Sequence, residues 1–268
     1  MPATYLDSIE AYHRARAARD PREWRERLDT VRYDGARLED ALAEPAVAGQ
    51  IAVIAEIKRR SPSKGWLGEH VDAAALAREY VAGGASAISV LTDAPHFAGS
   101  PEDLDVVRHA VGVPVLRKDF TVSENDVLDT AEMGASGVLL IAALLDGEEL
   151  ARYLALALEI GLSPLVEVHD AAEAHVAIES GSRLIGVNQR NLHSFEVDPD
   201  HAASIIAELP RDIIRVAESG FRSPDDVRRA AEAGFDAVLV GEVFVTSPAP
   251  KDLVNDFATV PRGRPRGS

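Results

Sequence analysis

Val53-Ile54-Ala55-Glu56-Ile57-Lys58-Arg59-Arg60-Ser61-Pro62-Ser63-Lys64-Gly65 is the stretch on which the reading of this chain turns. Its first half is a short β-branched apolar run, as a buried strand requires. Within that run stand a carboxylate, Glu56, and an ammonium, Lys58. A strand has a side-chain period of two, so both project from one face. Charges on the face of an apolar strand cost desolvation energy unless they are paired or used. The strand then enters Ser61-Pro62-Ser63-Lys64-Gly65, a small, polar, basic loop suited to covering an anion. Taken alone, a structural ion pair followed by an ordinary turn explains these residues equally well.

Outward from this strand the chain repeats a rhythm. Apolar runs at 51–57, 86–91, 113–117, 137–142, 164–168, 184–188, 214–218 and 237–241 alternate with Ala-rich, charged stretches of helical character. Gly83-Gly84, Gly134, Gly161, Gly181 and Gly234 stand where helices end before the next strand. Strands alternating with helices and buried on both faces predict an α/β protein with a parallel sheet. Eight units in about 190 residues predict a (β/α)8 TIM barrel rather than a doubly wound sheet. Residues 1–50 carry no strand pattern. They predict an N-terminal helical extension packed on the barrel, with helices near 4–19, 22–28 and 37–48. The barrel is expected over 51–258. Residues 259–268, rich in Arg, Gly and Pro toward their end, are expected to be a disordered tail.

The chain has 268 residues, a net charge of −16 and no cysteine. Disulfides and thiolate metal sites are therefore excluded, and general nucleic-acid binding, which needs a basic footprint, is argued against. No apolar run approaches the ~20 residues that span a bilayer. A soluble, cytoplasmic protein without membrane or nucleic-acid partners is expected. Net acidity leaves room for an anionic substrate, because a local basic cluster can dominate one cleft. Of the four lysines, Lys58, Lys64 and Lys118 lie at or just beyond strand ends, and Lys251 lies toward the C-terminus.

In such barrels the chemistry sits at the carboxyl ends of the strands. Those ends carry Glu56 and Lys58; Thr92; Arg117, Lys118 and Asp119; Glu167; Asn188 and Arg190; Glu218 and Ser219; Gly241 and Glu242. Each has a plainer explanation: Thr92 and Asp93 as loop caps, Asp119 paired with Arg117 at the rim, Asn188 and Arg190 bonded to loop backbone. Stability alone does not place ionisable groups at the same end of so many strands. Ala217-Glu218-Ser219-Gly220-Phe221 and Val240-Gly241-Glu242 follow strands seven and eight, where barrels commonly bind phosphate. Ser61 and Lys64 would close over the same anion. The eight histidines show no metal-ligand spacing. His169 and His175 read as helix-start and surface residues, and no metal site or cofactor is expected.

Five segments in this order resemble the indole-3-glycerol phosphate synthase family over residues 4 to 258. They are Ile54 to Gly65, Leu116-Arg117-Lys118-Asp119-Phe120, Pro164-Leu165-Val166-Glu167-Val168-His169, Ile185-Gly186-Val187-Asn188-Gln189-Arg190-Asn191-Leu192 and Ala217-Glu218-Ser219-Gly220. The resemblance implies ring closure of 1-(2-carboxyphenylamino)-1-deoxyribulose 5-phosphate with loss of carbon dioxide and water. It implies Lys118 as general acid, Glu167 as base or electrostatic stabiliser, and Lys58, oriented by Glu56, as second lysine. The division of acid roles between the lysines is open. Asn188, Arg190 and Glu218 would position substrate; Ser61, Lys64, Ser219, Gly220, Gly241 and Glu242 would hold its phosphate. Lys118 as an acid near neutral pH needs its pKa brought down; Lys58 and Arg190 would lower it and Glu56 and Glu167 oppose, so sequence leaves the sign of the net shift open. Gln189, Val243 and the acidic run Thr121 to Asp126 depart from what the resemblance leads one to expect. A monomer is the working expectation, other tryptophan-pathway enzymes being open as partners. Two competing readings remain: a Schiff-base aldolase using Lys118, and a phosphate-ligand-binding or regulatory paralogue without turnover.

Overall fold

The computed structural model describes residues 5–61, 64–190 and 196–263. Eight strands form a closed ring in chain order: β1 (Ala52–Ile57), β2 (Ala87–Leu91), β3 (Val115–Lys118), β4 (Gly137–Ile141), β5 (Ser163–Val168), β6 (Leu184–Asn188), β7 (Ile214–Glu218) and β8 (Ala237–Val240). All pairings are parallel, and β8 closes on β1 with Ala52 opposite Ala237. This is the expected (β/α)8 barrel. β3 starts later and ends later than its apolar run predicts: Pro114 has no N–H for the ladder, and pairing continues to Leu91 opposite Lys118. Lys118 is thereby a strand residue rather than a loop residue.

The strands are held apart and aimed by well-capped helices. Asp72, Ser100, Ser123, Asp146, Asp170 and Asp198 each accept the backbone N–H three residues on. At the other end, Gly84, Gly134, Gly161, Gly181 and Gly234 turn the chain with positive φ, as expected, whereas Gly83 has φ −84°. Lys251 belongs to the last helix, Pro250–Ala258.

The N-terminal helices are α1 (Tyr5–Ala17), α2 (Trp24–Leu28) and α3 (Leu38–Val47), close to the expected bounds. α3 lies under the amino end of the barrel, where Leu38 and Leu42 are buried and the Leu38 N–H donates to Ser163 Oγ at the start of β5. α1 lies across the loops after β2, β3 and β4. His13 Nε2 is 3.0 Å from Asp93 Oδ1, Arg16 pairs with Asp126 at 2.8 Å, and Arg14 bonds both carboxylate oxygens of Glu149 at 2.9 Å. The acidic run after β3 is thus in part a socket for this extension, since Asn125 accepts from Arg27 and donates to the Arg22 carbonyl; Glu124 instead pairs with Arg152 of the barrel helix Gly147–Glu159. At the C-terminus the chain is anchored further than the expected tail. Val260 is buried, Pro261 bridges to Gln50, and Arg262 pairs with Asp236. The rest of the proposed tail, residues 264–268, lies outside the described residues.

Arg117 and Asp119 pair as expected, at 2.8 Å, but in the interior rather than at the rim. Arg117 faces away from the barrel axis, onto Thr92 Oγ1, the Asp126 carbonyl and Thr130 Oγ1. Thr92 is a link in this network, donating to Asp119, and is not a loop cap; Asp93 does cap the short helix Ala94–Phe97. Truncating one member of such a pair strands the other in low dielectric, at ~3–5 kcal/mol. Arg117→Ala is therefore expected to lower stability by about that amount in urea denaturation, and a loss below ~1 kcal/mol would show the network to be solvated.

Candidate active site

At the carboxyl end of the barrel the alternation of five strands directs one polar side chain each inward. Glu56 from β1, Lys118 from β3, Glu167 from β5, Asn188 from β6 and Glu218 from β7 line a single cavity of about 300 Å³, with Lys58 just beyond β1. Room for these groups is made by missing side chains. A Cβ at Gly186 would collide with the Glu218 carboxylate, and one at Gly241 would lie 2.5 Å from Glu56 Oε1. Of the residues given a catalytic or phosphate-binding role from sequence, all line the cavity except Gly241, whose backbone instead backs Glu56; Thr92 and Arg117, also at strand ends, lie outside it.

Lys118 is the centre of the cluster. Its Nζ lies 2.9 Å from Glu167 Oε2 and 3.4 Å from Glu218 Oε2. Glu167 Oε1 also accepts from Asn188 Nδ2 at 2.9 Å, and Asn188 Oδ1 accepts the Arg190 N–H at 3.0 Å. Lys58 Nζ, one residue past β1, sits 2.7 Å from Glu56 Oε1, the pairing that the two-residue spacing predicts. Burial alone would lower the Lys118 pKa, but Glu167, Glu218 and Glu56 together outweigh it and raise it above the ordinary lysine value. The sign that sequence left open is thus upward, because three carboxylates surround one ammonium. Glu167, though buried, is held well below the usual carboxylate range by Lys118, His169 and Asn188. Glu218 goes the other way. Burial pushes it up to about 8, Lys118 opposes, and the negative charges of Glu167 and Glu56 add to the rise. Two carboxylates on one lysine therefore differ in protonation near neutral pH.

The two sides of the cavity differ in character. Loops after β7, β8 and β1, adjacent in the ring, supply Ser219, Gly220, Glu242, Ser61 and Lys64. Lys64 Nζ pairs with Glu242, bridging the β1 and β8 loops, and its own N–H is bound by Ser61 Oγ at 3.2 Å. Ser219 and Gly220 both take positive φ, 70° and 85°, which bends the chain sharply at the end of β7. Gln189 Nε2 donates to the Ser219 carbonyl at 3.2 Å and so braces this bend. Val243, the other departure, packs against the core. Pro62, Ser63, Asn191 and Leu192 lie outside the described residues.

Opposite this polar side, Phe97, Phe120, Leu139 and Ile141 from the β2, β3 and β4 region form an apolar wall, completed by Tyr5, Leu6 and Ile9 of α1. Sequence reading missed this wall, since apolar residues in loops and in an amphipathic helix carry no sign of which surface they face. It also missed His169. That ring is not a surface feature: its side chain is 13% exposed and sits behind Glu167, with Nε2 3.3 Å from Glu167 Oε1 and Nδ1 3.2 Å from Glu173 Oε2. Burial would lower its pKa, yet Glu167 and Glu173 raise it to about 10. His175 is exposed, as expected. Among the described residues one set of side chains is close enough to share a cation, His13, Asp93 and His96, brought together from positions 80 residues apart. Asp93 already accepts from both rings and from the His96 and Phe97 N–H groups, so the set is explained as the clamp that fixes α1 to the barrel.

Fold and cavity together define a class: a (β/α)8 barrel with a lysine–glutamate acid–base cluster between a basic loop and an apolar wall. The family model for indole-3-glycerol phosphate synthase matches residues 6–257. A protein of Beutenbergia cavernae named indole-3-glycerol phosphate synthase is 52% identical over 207 residues, covering 77% of each chain. One of Arthrobacter sp. with the same name is 44% identical over 95% of each. The thiamine phosphate pyrophosphorylase structure from Pyrococcus furiosus has a TM-score of 0.59 at 18% identity, covering 78% of this chain and 95% of that one, a likeness of fold alone. The chain belongs to the indole-3-glycerol phosphate synthase family.

The split protonation has a measurable consequence. Folded Glu218 keeps its proton from pH 4.5 to about 8, and folded His169 from 6.5 to about 10, where the unfolded groups have lost theirs. Their contribution to stability is complete below the unfolded values and is lost as pH rises through the folded ones. The melting temperature is expected to fall between about pH 6 and about pH 9, less steeply in Glu218→Gln. Equal slopes in wild type and variant would mean that Glu218 is already ionised.

Proposed function

We propose that this chain is a carboxy-lyase, an indole-3-glycerol phosphate synthase. It closes the ring of 1-(2-carboxyphenylamino)-1-deoxyribulose 5-phosphate with loss of carbon dioxide and water. The observation that carries the assignment of roles is Lys118 held by Glu167 and Glu218 between a basic and an apolar side of one cavity. Such a substrate has two unlike ends. Its phosphate fits the side formed by Ser61, Lys64, Ser219 and Gly220, where it would take Lys64 from Glu242 and meet the Gly241-Glu242 backbone. Its aromatic ring fits the wall of Tyr5, Leu6, Ile9, Phe97 and Phe120, which gains apolar burial on contact.

In this pose the sugar carbonyl lies over the lysine–glutamate cluster. Carbon–carbon bond formation leaves negative charge on the carbonyl oxygen, and protonated Lys118 donates there. The ring carbon then loses carbon dioxide, the bonding pair returning to the ring. Departure of the hydroxyl as water takes a second proton, and Glu167 accepts the proton lost from the neighbouring carbon. Lys58, fixed by Glu56, serves the substrate carboxylate or the dehydration step. Asn188 and Arg190 orient the reacting carbons, and Glu218, protonated near neutral pH, adds no repelling charge. Each proton donor and acceptor in this scheme is a side chain of the chain itself, so no cofactor is invoked. Among the described residues no helix is long and apolar enough to cross a membrane. A cytoplasmic enzyme acting on a free phosphorylated small molecule accords with this reading.

Appearance of indole fluorescence on mixing the protein with that substrate, with chelator present, tests the assignment. Lys118→Ala is expected to abolish the signal while leaving substrate binding within about tenfold. Binding without any signal from wild type would favour the non-catalytic paralogue. Trapping of substrate by borohydride would favour an imine-forming aldolase. Lys64→Ala is expected to raise KM ~10-fold with kcat within about threefold; an equal fall in kcat would move Lys64 out of phosphate binding.

A further inference from the structure

Two glutamates converge on Lys118, and the chemistry proposed above needs one of them as base. Their own residue type does not distinguish them, and both are buried. Their surroundings do. Glu167 accepts from two donors, Lys118 Nζ at 2.9 Å and Asn188 Nδ2 at 2.9 Å, and His169 Nε2 stands 3.3 Å from its Oε1, within ion-pair range but without hydrogen-bond geometry. Glu218 has Lys118 at 3.4 Å, and its Oε1 is buried with no hydrogen-bond partner. A buried carboxylate is ionised where cations and donors gather and holds its proton where they do not.

We infer that His169, held by Glu173, is the positioning residue that makes Glu167 rather than Glu218 the anionic partner of Lys118. The inference rests on the reaction proposed above for its catalytic meaning. Lys118 is shared by both glutamates and Asn188 is neutral, so His169 is the one cationic group that faces Glu167 and not Glu218 among the contacts described.

Local structure explains why the imidazole stands there. Asp170 caps the helix Ala171–Glu179 by accepting the Glu173 N–H at 2.8 Å, which sets Glu173 on the first turn. From that position Glu173 Oε2 reaches back to the His169 N–H at 2.7 Å and to its Nδ1 at 3.2 Å. His201, from the helix Pro199–Ile206, donates from Nε2 to the His169 carbonyl at 3.1 Å. The ring is thus fixed at its backbone and at Nδ1, leaving Nε2 toward Glu167. Glu173 favours the imidazolium on one side and Glu167 on the other. The groups facing Glu167 are Lys118 from β3, Asn188 from β6 and His169 itself. Those facing Glu218 are Lys118, with Glu167 and Glu56 as repelling charges. His169 does not line the cavity, so its action passes through Glu167 and it is no contact for substrate.

His169→Gln keeps a polar side chain and removes the cation. It is expected to lower kcat roughly 30-fold, part of the ~10²–10⁴ that an acid–base residue supplies, with KM within about threefold. The acid limb of kcat/KM is expected to move up by about one pH unit as the proton redistributes toward Glu167. Glu173→Gln should move it in the same direction by less. The decisive comparison is a double-mutant cycle. In the Glu218→Gln background no second carboxylate competes for Lys118, so His169→Gln should cost severalfold less than it does in wild type. Equal cost in both backgrounds, or an acid limb that stays in place while the melting temperature drops, overturns the inference in favour of simple packing. Wild-type inactivity would overturn the functional reading instead, and the structural half would still be tested by imidazole NMR. There the His169 ring should titrate near 10 and fall toward the ordinary histidine value in Glu173→Gln. An ordinary value already in wild type would sink it.

Discussion

Everything at the carboxyl end of this barrel is built around the burial of one ammonium group. Lys118 Nζ has Glu167 on one side and Glu218 on the other, with Glu56 near enough to act on it. Three carboxylates and one lysine cannot all be charged in a cavity walled by apolar strands without a large desolvation cost. The arrangement resolves this by pairing Glu56 with Lys58 and by leaving the proton on Glu218. The barrel supplies the geometry: the Glu218 side chain reaches the same centre as Lys118 through space left by a glycine of β6, Gly186, where a Cβ would strike its carboxylate. Site chemistry and barrel packing are in this sense the same constraint.

Part of the chain's acidity is neutralised within the fold, away from this centre. On the elements that receive the N-terminal extension, Asp126, Asp129, Glu132 and Glu149 take arginines from α1, α2 and the segment between them. An extension tied on by exposed ion pairs alone would be held weakly. Here the pairs surround a buried anchor, His13 on Asp93, and the apolar side of α1 is the face that closes the cavity. The same helix therefore both completes the binding surface and depends on the barrel loops for its position.

The fold was legible because a doubly buried parallel strand leaves few choices: short β-branched runs, eight of them, with glycine at the helix ends. Residues that both break an apolar run and carry charge, such as Glu56 and Glu167, stood out for the same reason. What stayed hidden depended on partners distant in sequence. His169 reads as a helix-start residue because it does precede a capped helix; only the return of Glu173 and the nearness of Glu167 make it part of the site. Arg117 shows the reverse case. It sits beside Lys118 and looks equally functional, yet strand alternation turns it outward into a structural network with Asp119 and Thr92. The direction of the Lys118 shift was hidden too, since it is a sum of opposed contributions whose distances no sequence supplies.

That shift changes how the acid must work. A lysine poised by a lowered pKa would lose its proton to solvent for part of the time before substrate arrives. Lys118, raised by its carboxylates, arrives protonated at every encounter near neutral pH, and the difficulty moves to the moment of release. In the proposed reaction the substrate itself supplies what is missing. Positive charge develops on the substrate nitrogen as the ring carbon attacks the carbonyl, next to the same carboxylates that hold Lys118. A second cation in the cluster competes for Glu167 and weakens its grip on the ammonium, so the lysine becomes a stronger acid as the step that needs its proton proceeds. Glu218, by keeping its proton, holds the number of anions low enough for that competition to matter. The resting pKa of the acid is then a poor guide to its strength in the transition state, because the group that tunes it is the reacting molecule.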